Sequence, residues 1–361
     1  MASQWRELTA EQRRIAADAI QLYEHHLELA RETRELAGGM FWKTVKNREY
    51  LVRSLDRNGH IRSLGRRGPQ TDALYGEFVA RKKDVRLRLA SVRLELQRKA
   101  KFCVAAGVNR VPRIPADVAR VLDSAGLLGT HLLLLGSHAL YAYEIAAGVQ
   151  FKAGMLQTDD LDTLLDPHSP LEIATRARKL GLLGLLKTVD KSFAPAGERS
   201  FRAANAKGFM VELLRPMAAH RNLSGLMGIG MGKDLIAESL PGLDWILAGP
   251  RFSKIVIAEN GFPARFVVPD PRVFALHKIW LSLQPTRNPM KRKRDFRQGE
   301  AVAQLAIEYL NLSFDDSTLR VLPSDLTSTV PALLARLKSR KPIRTEAELP
   351  AGFDDDEAEG D

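Results

Sequence analysis

The stretch Thr158-Asp159-Asp160-Leu161-Asp162-Thr163-Leu164-Leu165 predicts the β-strand around which the rest of the fold is organised. Residues two apart on a strand point to the same face, so Asp160 and Asp162 project together with Cα atoms ~6.6 Å apart. Carboxylates this close repel each other, and each resists ionisation unless a cation lies between them. Magnesium binds through one or two carboxylates together with substrate phosphates. The stretch therefore predicts a metal-binding strand. The alternative is a loop or helix start with solvated aspartates.

An apolar run precedes this strand and ends at a glycine–serine pair. Residues 131–135 predict a buried strand, Gly136-Ser137 ends it, and residues 139–147 predict a helix. A junction of this kind presents backbone N–H groups and a hydroxyl at a helix N-terminus, where a phosphate can bind.

A third acidic residue follows on a later strand. After a helix predicted from about Ser169 to Leu180, residues 199–203 and 209–214 predict an antiparallel strand pair, and the second strand carries Glu212 in an apolar run. A carboxylate inside a central strand is costly to bury unless it is paired or bound to a metal. Glu212 is thus a metal ligand, a residue on a solvated face of the sheet or the partner of Arg202, and taken alone it favours one of the latter two.

The positive charge of the chain is concentrated in its N-terminal third. The chain has 361 residues and a net charge of +11, and residues 41–110 hold 18 basic against 6 acidic side chains. A helix predicted from the Thr9 capping box to about Leu36, a second helix over 71–103 and a β-hairpin over about 48–68 with an Asn58-Gly59 turn form a basic helical arm. We predict nucleic-acid contacts from this arm at Arg53, Arg57, Arg62, Arg66, Arg67, Lys82, Lys83 and Arg86. A solvated basic surface, or docking on an acidic protein or on the acidic tail of the chain, is the alternative.

The composition indicates a globular protein of two or three domains. Residues 1–115 predict the arm, 116–270 an α/β core, 271–345 a helical domain and 346–361 a disordered tail with eight acids and no base. No apolar run approaches the ~20 residues that span a bilayer, so no membrane contact is expected. A single cysteine, Cys103, excludes an intrachain disulfide and favours a cytoplasmic location.

Three further segments complete the prediction. A hairpin is expected over 252–268 around Asn260-Gly261, and helices are expected from Pro271, over 296–311 and over 324–340. The glycine-rich segment 228–234 does not match a phosphate-binding loop, because Met227 takes the first glycine position and Asp234 follows Lys233. It predicts a turn instead.

Taken in order, Gly136-Ser137, Asp160-x-Asp162 and then Glu212 on a following strand resemble the nucleotidyltransferase superfamily, which has the polymerase-β-like fold. More closely, Gly136-Ser137-His138-Ala139-Leu140-Tyr141-Ala142-Tyr143-Glu144 followed by residues 158–162 resembles a bacterial stand-alone branch near the abortive-infection and toxin–antitoxin nucleotidyltransferases. The similarity covers about residues 110–310. It implies an α+β fold: a small mixed sheet flanked by helices, with the N-terminal arm and a C-terminal helical bundle added.

The resemblance also assigns roles. It implies that Asp160, Asp162 and Glu212 hold Mg²⁺, with Mn²⁺ as an alternative, and activate the acceptor. Gly136, Ser137, Thr158 and Lys278 would bind the NTP, and Asp295 would open the next helix as a site residue or as an N-cap. The long interval between Ser137 and Asp160 implies an inserted loop at 148–157, and the third carboxylate is Glu where Asp is common.

The implied reaction moves a nucleoside monophosphate from an NTP to an acceptor hydroxyl. The basic arm favours RNA, such as a tRNA 3′ end, as the acceptor. A toxin or defence role would add an antitoxin or a regulatory protein as partner. Two alternatives stay open at this point: a nucleic-acid-binding or antitoxin-like module with a vestigial catalytic core, and protein AMPylation.

Overall fold

The computed structural model describes residues 4–54, 60–156, 158–169, 175–217, 228–230 and 234–339. Its helices are α1 Ala10–Glu35, α2 Pro69–Ala105, α3 Arg113–Ser124, α4 Ala139–Ala147, α5 Ala153–Leu156, α6 Thr175–Val189, α7 Leu243–Ala248, α8 Pro271–Leu283, α9 Pro289–Glu308, α10 Ser324–Thr327 and α11 Val330–Lys338. Its strands are β1 Trp5–Glu7, β2 Met40–Val45, β3 Arg48–Ser54, β4 Ile61–Arg66, β5 Leu132–Leu134, β6 Val149–Phe151, β7 Asp160–Leu165, β8 Ala194–Pro195, β9 Arg202–Ala204, β10 Met210–Pro216, β11 Glu238–Leu240, β12 Arg251–Ile257 and β13 Pro263–Pro269. The α+β fold class predicted from the sequence is confirmed.

The central sheet has six strands and mixed pairing. Its main path runs β5-β7-β10-β9-β8, and β11 pairs with β10 off this path. Strands β7 and β10 are parallel, whereas β5 and β9 run antiparallel to their neighbours. The predicted strand pair around a turn at 206–208 is therefore confirmed, as is the charged strand that follows Gly136-Ser137.

Buried apolar residues of the central strands form part of the main hydrophobic core. All three residues of β5 are buried, and the buried residues Leu161, Leu164 and Leu165 of β7 pack in the same cluster. The predicted 252–268 hairpin is present as β12–β13, and helices α3 and α4 pack on it. Burial of these leucines supplies the hydrophobic free energy that fixes the position of the charged end of β7.

The interval expected to be an inserted loop at 148–157 contains regular structure instead. Strand β6 pairs antiparallel with β1, and the short helix α5 follows it. The Trp5 ring packs edge-on against Phe151, with ring centroids 5.8 Å apart, which places the first described residues on the core. The period-2 signal of a three-residue strand is too short to be read from the sequence.

The helix predicted from about Ser169 to Leu180 extends further along the chain than expected. Helix α6 runs to Val189 and is interrupted at Gly181, which has φ +67°. The Asp234 carboxylate accepts hydrogen bonds from the backbone N–H groups of Leu182 and Leu183 at 2.9 Å each, so it caps the second half of the helix. Residues 170–174 lie outside the described residues, as do 231–233 and Met227 of the glycine-rich segment.

The N-terminal arm consists of two long antiparallel helices and a small sheet. Glu32 pairs with Arg81 and Asp18 pairs with Lys99, so α1 and α2 run in opposite directions. The Thr9–Gln12 capping box is present at the start of α1. The predicted hairpin is present as β3–β4, but its Asn58-Gly59 turn and Arg57 lie outside the described residues.

The arm sheet has a third strand that the sequence analysis missed. Strand β2 pairs with β3 through a two-residue turn at Lys46-Asn47, where both residues have positive φ. Asparagine favours this conformation but lysine does not, and the usual Asn-Gly signal is absent.

The C-terminal part is helical, as expected, with different boundaries. Helix α9 begins at Pro289 and not at 296, because Asn288 caps it by accepting from the Met290 backbone N–H at 2.9 Å. The helix predicted over 324–340 is instead the two short helices α10 and α11. The acidic tail at 346–361 lies outside the described residues, and the predicted domain boundaries stay predictions. Among the residues described, no helix is both long and apolar enough to cross a membrane.

Candidate active site

Three side chains stand in a row across the centre of the sheet. Asp162 on β7 is directly opposite Glu212 on β10, and Glu212 is directly opposite Arg202 on β9. Opposed residues on neighbouring strands point to the same face and are ~4.8 Å apart at the backbone. Asp160 lies two residues before Asp162 on the same face. The structure therefore brings together the three carboxylates that the sequence singled out.

The glycine–serine corner lies against this row. Gly136 has φ +64°, and a Cβ atom built on it would come within 2.2 Å of the Asp162 carboxylate oxygen Oδ2. Only glycine allows both this backbone conformation and this close approach. Gly136–His138 forms a 3₁₀ turn that leads into α4, with Ser137 buried.

The electrostatics of the row favour a cation. Burial raises the pKa of Asp162 to about 6, and the neighbouring charges of Asp160 and Glu212 act in the same direction. Lys278 and Lys291 are near enough to lower that pKa in part. Asp160 and Glu212 raise the pKa of Asp162 because their negative charges disfavour a third one nearby. A positive charge at this position would therefore be stabilised.

Glu212 already has a cationic partner. The Arg202 Nε atom donates to Glu212 Oε1 at 2.6 Å, and the Arg202 guanidinium stacks on the Phe201 ring at 4.5 Å. This is the pairing that the sequence left open as an alternative to metal binding. Within the described ranges, no three His, Cys, Asp or Glu side chains form a group that could hold a metal ion.

The Ser137 hydroxyl is held by a residue that the sequence analysis missed. The Gln298 Nε2 atom on α9 donates to Ser137 Oγ at 2.9 Å and to the Met155 backbone carbonyl at 2.7 Å. Gln298 is fully buried. In the sequence, Gln298 follows Asp295 by three residues and therefore lies on the same face of the helix. This spacing does not indicate that its partner is Ser137, which is 161 positions away.

Lys278 is buried and belongs to a charged triad. Its Nζ atom donates to Asp295 Oδ1 at 2.6 Å, and Arg287 donates to Asp295 Oδ2 at 2.8 Å. Burial lowers the pKa of Lys278, whereas Asp295 and Asp162 act to raise it. The N-cap interpretation of Asp295 is wrong, because this residue is fully buried in the second turn of α9. Lys278 on α8 is itself buried, so it is not a surface lysine.

Two further groups border Asp160. The Thr158 hydroxyl hydrogen-bonds to the Asp160 carboxylate. Burial lowers the pKa of His138 to about 4, so this ring, which lies beside Asp160, is neutral at pH 7. A neutral imidazole adds no positive charge that would compete with a cation at the carboxylates.

Comparison with known protein families identifies the chain. A family model described as nucleotidyltransferase matches residues 113–323, more than half of the sequence. The chain belongs to this family. Comparisons with curated proteins and with solved structures find no match. The matched range contains Gly136, Ser137, Asp160, Asp162 and Glu212, so the protein is a nucleotidyltransferase enzyme whose family transfers nucleoside monophosphates from NTP substrates and generally uses divalent metal ions.

Two carboxylates of the nucleotidyltransferase, those of Asp160 and Asp162, fit such an ion if substrate phosphates supply its other ligands. Burial first and the charges of Asp160 and Glu212 second raise the pKa of Asp162, and Gly136 leaves no side chain between this carboxylate and the corner. Asp160 and Asp162 would hold the ion together with substrate phosphates. When bound, a divalent ion supplies charge neutralisation and polarises a phosphoryl oxygen.

The arm residues predicted to bind nucleic acid divide into two groups. Arg53 donates to the Glu35 carbonyl at the end of α1 at 2.7 Å, Arg67 pairs with Glu49 and Asp72, and Lys82 hydrogen-bonds to the Gly38 carbonyl. These three hold the arm together. The exposed group, which forms no ion pair with any described residue, is Arg62, Arg66, Lys83 and Arg86.

Proposed function

We propose that this nucleotidyltransferase moves a nucleoside monophosphate from an NTP to a hydroxyl of RNA, with pyrophosphate as the leaving group. The main evidence for the catalytic role is that Asp162 and Glu212 are directly opposed on neighbouring strands, with Asp160 on the same face. Gly136 lies against the Asp162 carboxylate. Phosphoryl transfer needs positioning and charge neutralisation more than a covalent catalyst, and these residues provide both.

The roles follow from what each group can donate or accept. Asp160 and Asp162 would hold Mg²⁺, with Mn²⁺ as a substitute, and the Thr158 hydroxyl orients the Asp160 carboxylate. The Gly136–Ser137 turn and the buried Lys278 ammonium act on the phosphates as donors. Glu212, whose Oε1 atom accepts from Arg202 Nε, would take the proton of the attacking hydroxyl.

The exposed basic group on the arm supports RNA as the acceptor. Arg62, Arg66, Lys83 and Arg86 project from a rigid helix–sheet unit, with no ion pair among the described residues to neutralise them. Lys83 and Arg86 border a shallow cavity of about 470 Å³. A basic surface of this kind contacts phosphates without reading sequence, so it positions RNA while the corner performs the chemistry.

The catalytic proposal is tested with each of the four α-³²P-labelled NTPs, Mg²⁺ and total RNA. Asp160→Asn and Asp162→Asn should each lower label transfer at least ~100-fold, because they remove charge at the ion. Asp159→Asn is the matched control: it is an exposed neighbour, and we expect transfer within twofold of the wild-type protein. Equal transfer by all four proteins would refute these roles.

The acceptor proposal needs its own experiment. Lys83→Ala combined with Arg86→Ala should weaken RNA binding and reduce the slope of log affinity against log salt by ~1 to 2. Arg98→Ala on the same helix, where Arg98 pairs with Glu95, is the control and should leave the slope unchanged. Label found on protein in place of RNA would establish AMPylation.

The finer placement of the chain, near abortive-infection and toxin–antitoxin enzymes and with an antitoxin as partner, is also a proposal. It rests on the resemblance of residues 136–144 and 158–162 to that branch. Growth arrest on induction, relieved by Asp162→Asn, is the expected outcome. Normal growth under induction of an active enzyme would count against it.

A further inference from the structure

Gln298 joins three separate parts of the site. Its side-chain Nε2 lies between Ser137 Oγ of the corner, at 2.9 Å, and the carbonyl oxygen of Met155 on α5, at 2.7 Å. Both Gln298 and Ser137 are buried, so no competing water shell surrounds these bonds. The geometry therefore couples α9 directly to the phosphate-binding corner.

The orientation of this amide is determined by Met155. A backbone carbonyl can only accept, so the amide must present its NH₂ group to it and not its oxygen. The orientation holds although Gln298 Oε1 is buried and finds no donor among the described residues. The two bonds from Nε2 maintain the orientation, because a flipped amide would place its oxygen against the Met155 carbonyl.

The direction of the Ser137 hydroxyl proton follows. Because Nε2 is a donor, Ser137 Oγ must accept in this contact, and its own proton is left to point elsewhere. A hydroxyl whose lone pair is already engaged is a donor for a phosphate oxygen, and accepting a bond polarises it for that purpose.

We propose that Gln298 is a positioning residue. It orients the Ser137 hydroxyl so that this hydroxyl donates a hydrogen bond to the nucleotide. This deepens the proposed function and rests on nucleotide binding at the corner. Gln298 itself does not touch the substrate; its effect passes entirely through Ser137. Methionine at this position has a similar length but no N–H group and no charge, so it would remove the donor to Ser137 without repelling the phosphates.

The test is a double-mutant cycle on nucleotide affinity. Binding of the α,β-methylene analogues of the four NTPs with Mg²⁺ is measured by calorimetry for wild type, Ser137→Ala, Gln298→Met and the double variant. Each single variant should bind ~10- to 100-fold more weakly, the loss of one hydrogen bond to a charged group. The double variant should bind within about twofold of Ser137→Ala, because the path through Ser137 is already broken.

The controls separate this inference from the function on which it rests. Gln304→Met makes the same change on α9 at a side chain whose Nε2 atom donates to Glu308, and it should leave affinity unchanged. Gln298→Ala replaces Gln298→Met if the latter unfolds at a lower temperature, and the same non-additivity is expected. If the double variant loses affinity by the product of the two single losses, Gln298 does not act through Ser137. That result overturns this inference but leaves the proposed function intact. Absence of binding of any analogue to the wild-type protein overturns the proposed function, and this inference with it.

Discussion

Replacing Gly136 by alanine should separate the stability of the protein from its activity. An alanine in the left-handed conformation that Gly136 adopts, at φ +64°, costs about 1 to 2 kcal/mol of folding free energy. The added Cβ would also lie 2.2 Å from Asp162 Oδ2, where real contacts stay above 3.0 Å, so the carboxylate must move by at least 0.8 Å.

Gly107→Ala is the matched control for the backbone. Gly107 has φ +67°, nearly the value of Gly136, and a Cβ there would meet no atom within 4 Å. Both variants should therefore lose the same ~1 to 2 kcal/mol, because an aspartate carboxylate can rotate away at little further cost. Only Gly136→Ala displaces the Asp162 carboxylate. A shift of ~1 Å at a reacting centre can lower a rate by about 100-fold.

The assay pairs urea unfolding with label transfer from NTP at saturating Mg²⁺. We expect equal losses of unfolding free energy in the two variants, transfer within twofold of wild type for Gly107→Ala, and a loss of about 100-fold for Gly136→Ala. Wild-type transfer by Gly136→Ala would mean that the Asp162 carboxylate does not need its observed position. That result would refute the assignment of this corner as the active site.

Three further predictions concern stability and are measured by urea unfolding. Burial raises the pKa of Glu144 to about 7, so the native state binds an extra proton between pH 4.5 and 7, and the free energy of unfolding should fall by up to ~3 kcal/mol as pH rises through this range. Glu144→Gln should flatten that dependence, and an unchanged slope would rule this carboxyl out as its source. Asp295→Asn should lose about 3 to 5 kcal/mol, because it removes a buried countercharge of Lys278; a loss below 1 kcal/mol would show that the triad is solvated. Thr9→Ala should lose about 1 kcal/mol, because Thr9 Oγ1 accepts from the Gln12 N–H; no loss would mean that the α1 terminus is frayed.

Local spacing determined much of this protein in advance. Alternation along a strand places Asp160 and Asp162 on one face whatever surrounds them, and the Thr9 capping box starts α1 at the expected residue. The leucine run before Gly136 also predicts a buried strand from its composition alone. These features depend on residues within a few positions of each other, so they can be read without knowledge of the rest of the chain.

Only the tertiary structure decided how these parts meet. The register that sets Glu212 opposite both Asp162 and Arg202 depends on which strands become neighbours, and the sequence did not decide between metal binding, a solvated face and ion pairing for Glu212. The bond from Gln298 to Ser137 joins residues 161 positions apart. Such contacts depend on how whole helices and strands pack against a shared core. They produce no periodic pattern in the sequence near the residues that meet, so they cannot be predicted from local spacing.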